Sequence, residues 1–105
     1  MKYLVEFSPA ALDDLERLYD FALQRELERD AGDLDIPDRA LQAIRNGIAF
    51  LQSFPFACRK SGSSPFVREL VIPFGSSGYV ALFEIVDSQT VIIGAIRHQR
   101  EDDYH

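Results

Sequence analysis

The sequence predicts an α+β fold of element order β-α-α-β-β-β, with a helical hairpin packed on a small, largely antiparallel sheet. Two observations carry this expectation. Apolar residues recur at helical spacing in two segments of the N-terminal half, joined by a short polar turn. Three apolar extended stretches then fill the last third, separated by turns too short to hold a crossover helix, as between antiparallel neighbours. With 105 residues, 47% of them hydrophobic, the chain is expected to form one domain over residues 1–105 with a single core.

The elements follow in order. Tyr3–Phe7 is a strand candidate closed by Ser8-Pro9. Ser8 suits a helix N-cap and Pro9 the first helical position. Leu12, Leu15, Tyr19, Ala22 and Leu23 then form one apolar stripe, and Asp13, Asp14 and Glu16 lie in the early turns, where negative charge favours the helix dipole. This helix should fade near Arg29, before Gly32, and Asp30–Leu34 reads as a turn. A second helix starts around Asp35-Ile36-Pro37-Asp38 and presents Leu41, Ile44, Ile48 and Leu51 on one face. Ala40, Ala43 and Gly47 form a small-residue strip beside that face, a place for the helices to approach closely. Pro55 stops the helix by Phe54. After a loop at Pro55–Pro65, the strands are expected at Phe66–Ile72, Tyr79–Val86 and Thr90–Ile96. Pro73–Gly78 and Asp87–Gln89 connect them. These strands are apolar on both parities, so the face away from the helices should be concave, partly solvated or covered by something else.

The net charge of -6 argues against a protein that coats nucleic acid by charge alone. The charge is unevenly placed. Residues 1–53 carry 6 basic and 11 acidic side chains, residues 54–100 carry 5 basic and 3 acidic, and Glu101, Asp102 and Asp103 follow. An anion-binding surface should therefore be local to the C-terminal half. One cysteine allows no internal disulfide and fits a reducing cytoplasm. No signal-peptide pattern opens the chain, and no apolar run approaches the roughly 20 residues that a membrane-spanning helix needs.

No glycine loop of a phosphate-cradling type is present. No metal motif is either: His98 and His105 stand apart near the end, and Cys58 has no cysteine partner. Cys58 reads as a small buried filler or as a nucleophile activated by Arg59 and Lys60. Arg68 shares a strand face with Phe66 and Leu70, either as a surface arginine paired with a carboxylate or as an anion ligand on the open side of the sheet. Strand alternation puts Arg97 on the face of Val91, Ile93 and Ala95 and points His98 the other way. Metal-free RNA cleavage needs a base, cations for the phosphorane and an acid. Arg68 and Arg97 are candidates for the charge, and His98 or Tyr104 for the proton.

The element order resembles the RelE/ParE superfamily of bacterial type II toxin–antitoxin systems, often called plasmid stabilisation proteins. The resemblance rests on Val5–Leu15, on Val67–Gly75, on Gly78–Ile85 and on Val91–Glu101, and it spans nearly the whole chain. The Arg97-His98-Gln99-Arg100 ending looks more like the ParE branch. That branch implies a toxin that inhibits DNA gyrase, binds Arg59, Lys60, Arg68, Arg97, His98 and Arg100 to its target, and uses no cofactor. It also implies neutralisation by a cognate antitoxin in a hetero-oligomer, with antitoxin contacts at Leu15, Tyr19, Leu23, Tyr79 and Phe83. DNA is touched only indirectly, through the antitoxin complex. The RelE branch instead cleaves mRNA on the ribosome, and there Arg68, Arg97, His98 and Tyr104 would be catalytic. A decayed toxin that only binds its antitoxin is the third expectation, suggested by the acidic charge.

Overall fold

A computed structural model describes residues 2–100. Its elements are β1 (Leu4–Phe7), α1 (Pro9–Leu27), α2 (Ile36–Phe50), a 3-10 turn (Pro55–Ala57), β2 (Arg59–Lys60), β3 (Val67–Phe74), β4 (Ser77–Ile85) and β5 (Thr90–His98). The strands form one five-stranded sheet in the order β1-β5-β4-β3-β2. The pairs β2–β3, β3–β4 and β4–β5 are antiparallel, and β1 lies parallel to β5. The expected architecture is therefore what the chain adopts, with the addition of β2, a short edge strand within the segment expected as the Pro55–Pro65 loop.

Local chemistry explains the boundaries. Ser8 caps α1 by accepting from the Ala11 N–H, with Pro9 in the first turn. Strand β3 runs on to Phe74, and its hairpin to β4 is only Gly75-Ser76, because Gly75 takes a positive φ of 60°. Pro73 is tolerated inside β3 because of strand parity. The carbonyl of Val67 accepts from the Ser61 N–H, so the odd-numbered residues aim their backbone groups away from β4. The missing Pro73 N–H thus falls on the outer edge.

The core lies between the helices and one sheet face. Ala11 and Leu18 of α1, Ala40, Ile44 and Ile48 of α2, and Ile72, Tyr79, Ala81, Phe83, Ile85, Val91, Ile93 and Ile96 of the sheet are buried there. The α1 stripe is rotated from the expected one: Leu12 is exposed, and Leu18 carries the burial. One residue of the small strip on α2 also packs elsewhere. A side chain at Gly47 would come within 2.8 Å of the Ile72 side chain, so this glycine lets α2 lie close on β3 rather than on α1. The two helices are also tied by the Tyr19 hydroxyl, which donates to Asp38 at 3.1 Å.

One irregularity decides what the site looks like. Leu82 of β4 pairs with Ala95 but Phe83 pairs with Ile93, so Gly94 is an extra residue, a β-bulge in β5. Before it, Val91 and Ile93 face the helices; after it, Ile96 and His98 do. The expectation that Arg97 shares a face with Val91 and Ile93 is corrected on this point. The bulge inverts the parity, and Arg97 joins Ala95 and Ile92 on the face away from the helices. The start of α1 holds the bulge in place. Ser8 donates its hydroxyl to the Gly94 carbonyl at 3.2 Å, and the Asp14 carboxylate accepts the Ile96 N–H at 2.9 Å. The early-turn acid that the sequence offered as a dipole partner thus satisfies a backbone donor in β5.

Candidate functional site

The face of the sheet away from the helices is the open one. Its cross-strand rows can be read from the register. Arg59, Glu69, Leu82 and Ala95 form one row, and Val71, Val80 and Arg97 the next. Together Arg59, Ser61, Glu69, Val80, Leu82, Ala95 and Arg97 line a groove of about 390 Å³. Val80 is its buried floor, while Leu82 and Val71 are each 36% exposed. The apolar parity on both sides of β4 was the sequence signal for this floor.

Of the basic residues singled out from sequence, two stand on this face. Arg59 is held by Glu69, its directly opposite neighbour, through an Nε–Oε1 contact of 2.6 Å. Arg97 is exposed and forms no ion pair with any described residue. The role of Glu69 as counter-ion was not anticipated; only the β2–β3 pairing reveals it.

Arg68 lies on the other face. Its guanidinium donates to three backbone carbonyls: Nε to Pro65 at 2.8 Å, and Nη1 to Phe56 at 3.0 Å and to Cys58 at 2.7 Å. The same group lies 5.1 Å from the centroid of the Phe56 ring. Both expectations for Arg68, a carboxylate pair and an anion ligand on the open side, are therefore corrected. The residue pins the loop before β3, where carbonyl oxygens without a ladder partner need a donor. Lys60 is in register with Arg68, on that same parity, and exposed.

His98 faces the helix side, as expected from its opposition to Arg97. Its Nε2 lies 3.0 Å from the Ser77 hydroxyl, and its Nδ1 accepts the Arg100 N–H at 3.2 Å. The ring stacks edge-on against Tyr79 with centroids 5.6 Å apart. Arg100 follows the strand, exposed. Tyr104, the other proposed proton carrier, lies outside the described residues.

Cys58 is buried, and burial pushes its thiol up while the Arg68 guanidinium only partly opposes this. That favours the filler over the activated nucleophile. Burial also raises the Tyr79 phenol, against the pull of Arg25. Among the described residues no cluster of His, Cys, Asp and Glu is arranged to hold a metal ion, and no helix is long and apolar enough to cross a membrane.

The residues expected to meet an antitoxin divide in the same way. Leu15, Tyr19 and Leu23 are half-buried along α1. Leu15, Tyr19 and Tyr79 line a narrow crevice with Pro37, Ala40 and Ile44 of α2. Phe83 is 1% exposed in the centre of the core, which corrects its assignment as a contact residue: β4 parity turns it into the helices and leaves no surface to dock on.

Comparison with known proteins agrees with the geometry. No curated protein sequence matches the chain significantly. A solved structure described as the chromosomal ParDE TA system from P. aeruginosa shares the fold, with a TM-score of 0.69 at 19% identity, covering 92% of this chain and 96% of that one. The family model for the ParE toxin of the type II toxin–antitoxin system, parDE, matches residues 5–103, so the chain belongs to the ParE toxin family.

Proposed function

We propose that this ParE-family protein is a toxin that inhibits DNA gyrase through the open face of its sheet and is neutralised by a cognate antitoxin. The observation that carries the reading is the separation of the two strand arginines. Arg97 stands exposed, without an ion pair to any described residue, over an apolar floor, the make-up of a protein-binding patch. Arg68 is spent on three carbonyls on the opposite face. A metal-free ribonuclease needs its cations and its proton carriers around one phosphate. Among the described residues Arg68, Arg97 and His98 are not gathered around any one point, which favours a binding poison over an RNA-cleaving enzyme.

The antitoxin lies along the half-buried stripe of α1 at Leu15, Tyr19 and Leu23, beside the narrow crevice that buried Tyr79 helps to line. A segment that folds on binding suits such a surface, since it orders only when apolar area becomes available to cover. Purified protein added to a gyrase supercoiling reaction, with and without a co-expressed upstream antitoxin, tests the reading. Inhibition with accumulation of cleaved DNA, relieved by the antitoxin, is the expected result. Full supercoiling in the presence of folded toxin would overturn the gyrase assignment.

A further inference from the structure

We propose that the open-face groove takes an extended, acidic and apolar segment of a protein partner, with Arg97 as its anchor and Glu69 as a built-in competitor that occupies Arg59. This inference rests on the reading of the open face as the target-binding surface and states the chemistry of what binds there.

The groove has two cations at its edges and an apolar centre. Arg59 and Arg97 sit on outer strands of the groove, Val80 and Leu82 of β4 lie between them, and Ala95 stands next to Arg97 on β5. An extended segment presents every second side chain to one face. Alternate apolar side chains can cover Val80 and Leu82 while a carboxylate reaches the Arg97 guanidinium, which pairs with no described residue, giving a charge-assisted contact. A phosphate backbone fits less well. No aromatic ring lines the groove to stack a base, and Glu69 sets a negative charge in its first row.

Glu69 gives the groove its selectivity. In the free protein it neutralises Arg59 at 2.6 Å, so only Arg97 is available to an arriving carboxylate. A second acidic side chain must displace Glu69 to gain Arg59, an exchange of one exposed ion pair for another with little net gain. Removing the Glu69 charge should therefore tighten binding modestly, and reversing the Arg97 charge should weaken it more.

The experiment uses the purified, folded protein and fluorescence anisotropy with three labelled probes: a short peptide of alternating valine and glutamate, its valine–lysine counterpart, and an oligouridylate. The acidic peptide should bind in preference to both others. Arg97→Glu should weaken it by about tenfold, with Arg97→Gln intermediate, and Glu69→Gln should strengthen it by about threefold. Far-ultraviolet circular dichroism and urea midpoints matched to the parent protein qualify each variant as folded. Equal binding of the lysine peptide, tighter binding of the oligouridylate, or affinities unmoved by the substitutions would each overturn the proposal. Gyrase supercoiling by the same variants separates the two readings. Inhibition that survives Arg97→Glu and Glu69→Gln unchanged overturns this proposal and leaves the gyrase assignment standing. Charge-dependent peptide binding by a protein that does not touch gyrase does the reverse.

Discussion

Arg68 and Arg97 are both strand arginines in the same sheet, yet they serve opposite ends. Arg68 lies on the helix-facing parity of β3, where its five donors are drawn into a loop of carbonyls at Pro65, Phe56 and Cys58. Arg97 lies on the open parity of β5, where no described group pairs with it. Residue type is therefore a poor guide to role in this chain. What decides it is parity, and parity in β5 is set by a single bulge at Gly94. The helix-facing side is built for the fold, and the open side is available for binding.

The comparison can be broken most severely at the bulge. Inserting one residue between Gly94 and Ala95, with the one-residue bulge kept, would turn Ile96 out of the core and Arg97 into it, because a one-residue slip exchanges the faces. Loss of a cooperative urea transition is expected. Gly94→Ala should be tolerated within about 1 kcal/mol, since the added Cβ would meet nothing closer than the Leu82 carbonyl oxygen at 3.8 Å. The count of residues, and not the glycine itself, is what matters there.

The next largest contrast lies between two neighbours on β4. Phe83 is fully enclosed by the helices while Leu82 is on the open face. Phe83→Ala should cost about 3–5 kcal/mol in urea unfolding, and Leu82→Ala about 1 kcal/mol or less. Similar losses at both sites would mean that the open face is as much a part of the core as the helix face.

Smaller effects are expected where charged groups hold backbone. Arg68→Met leaves three carbonyls without their donor, and Asp14→Ala leaves the Ile96 N–H at the bulge without its acceptor. Each should lower stability by about 1–3 kcal/mol. Asp14→Asn retains an acceptor and should lose less. An Arg68→Met variant with an unchanged urea midpoint would remove the structural role assigned to this residue.

The smallest effect is one of pH. Glu26, buried at the end of α1, accepts the Asp33 N–H and pairs with Arg29 through both carboxylate oxygens. The backbone hydrogen bond, aided by Arg29 and opposed by burial, holds its carboxyl below the ordinary value of 4.5. A carboxyl lowered on folding stabilises the protein above its unfolded value, and that contribution fades as pH falls through the folded value. Glu26→Gln should therefore flatten the acid limb of the stability curve below about pH 4.5, with the midpoint followed by urea titration at each pH. An acid limb as steep as that of the parent protein would assign the acid sensitivity to other carboxylates.

The helices, the three long strands and their order were legible because each rests on local signals: Ser8-Pro9 at a helix start, Pro55 at a helix end, and alternation broken by short turns. The opposition of His98 to Arg97 was legible for the same reason. The absolute faces were not. Nothing in Val91–Ile96 announces that Gly94 is an extra residue, because the bulge exists only in its pairing with Leu82 and Phe83 and in its clamps from Ser8 and Asp14. The two-residue strand Arg59–Lys60 was hidden too, since its only signal is a partner on β3. Without that strand the Arg59–Glu69 pair, and so the electrostatics of the groove, could not be read. Long-range register is what the residues alone withheld.

The central claim, that the open face acts on the target while the helix face keeps the fold, is tested most directly by gyrase supercoiling with Arg97→Ala beside the parent protein. The account predicts that Arg97→Ala keeps the parent urea midpoint and loses most of its inhibition. An Arg97→Ala protein that inhibits gyrase as strongly as the parent would contradict it.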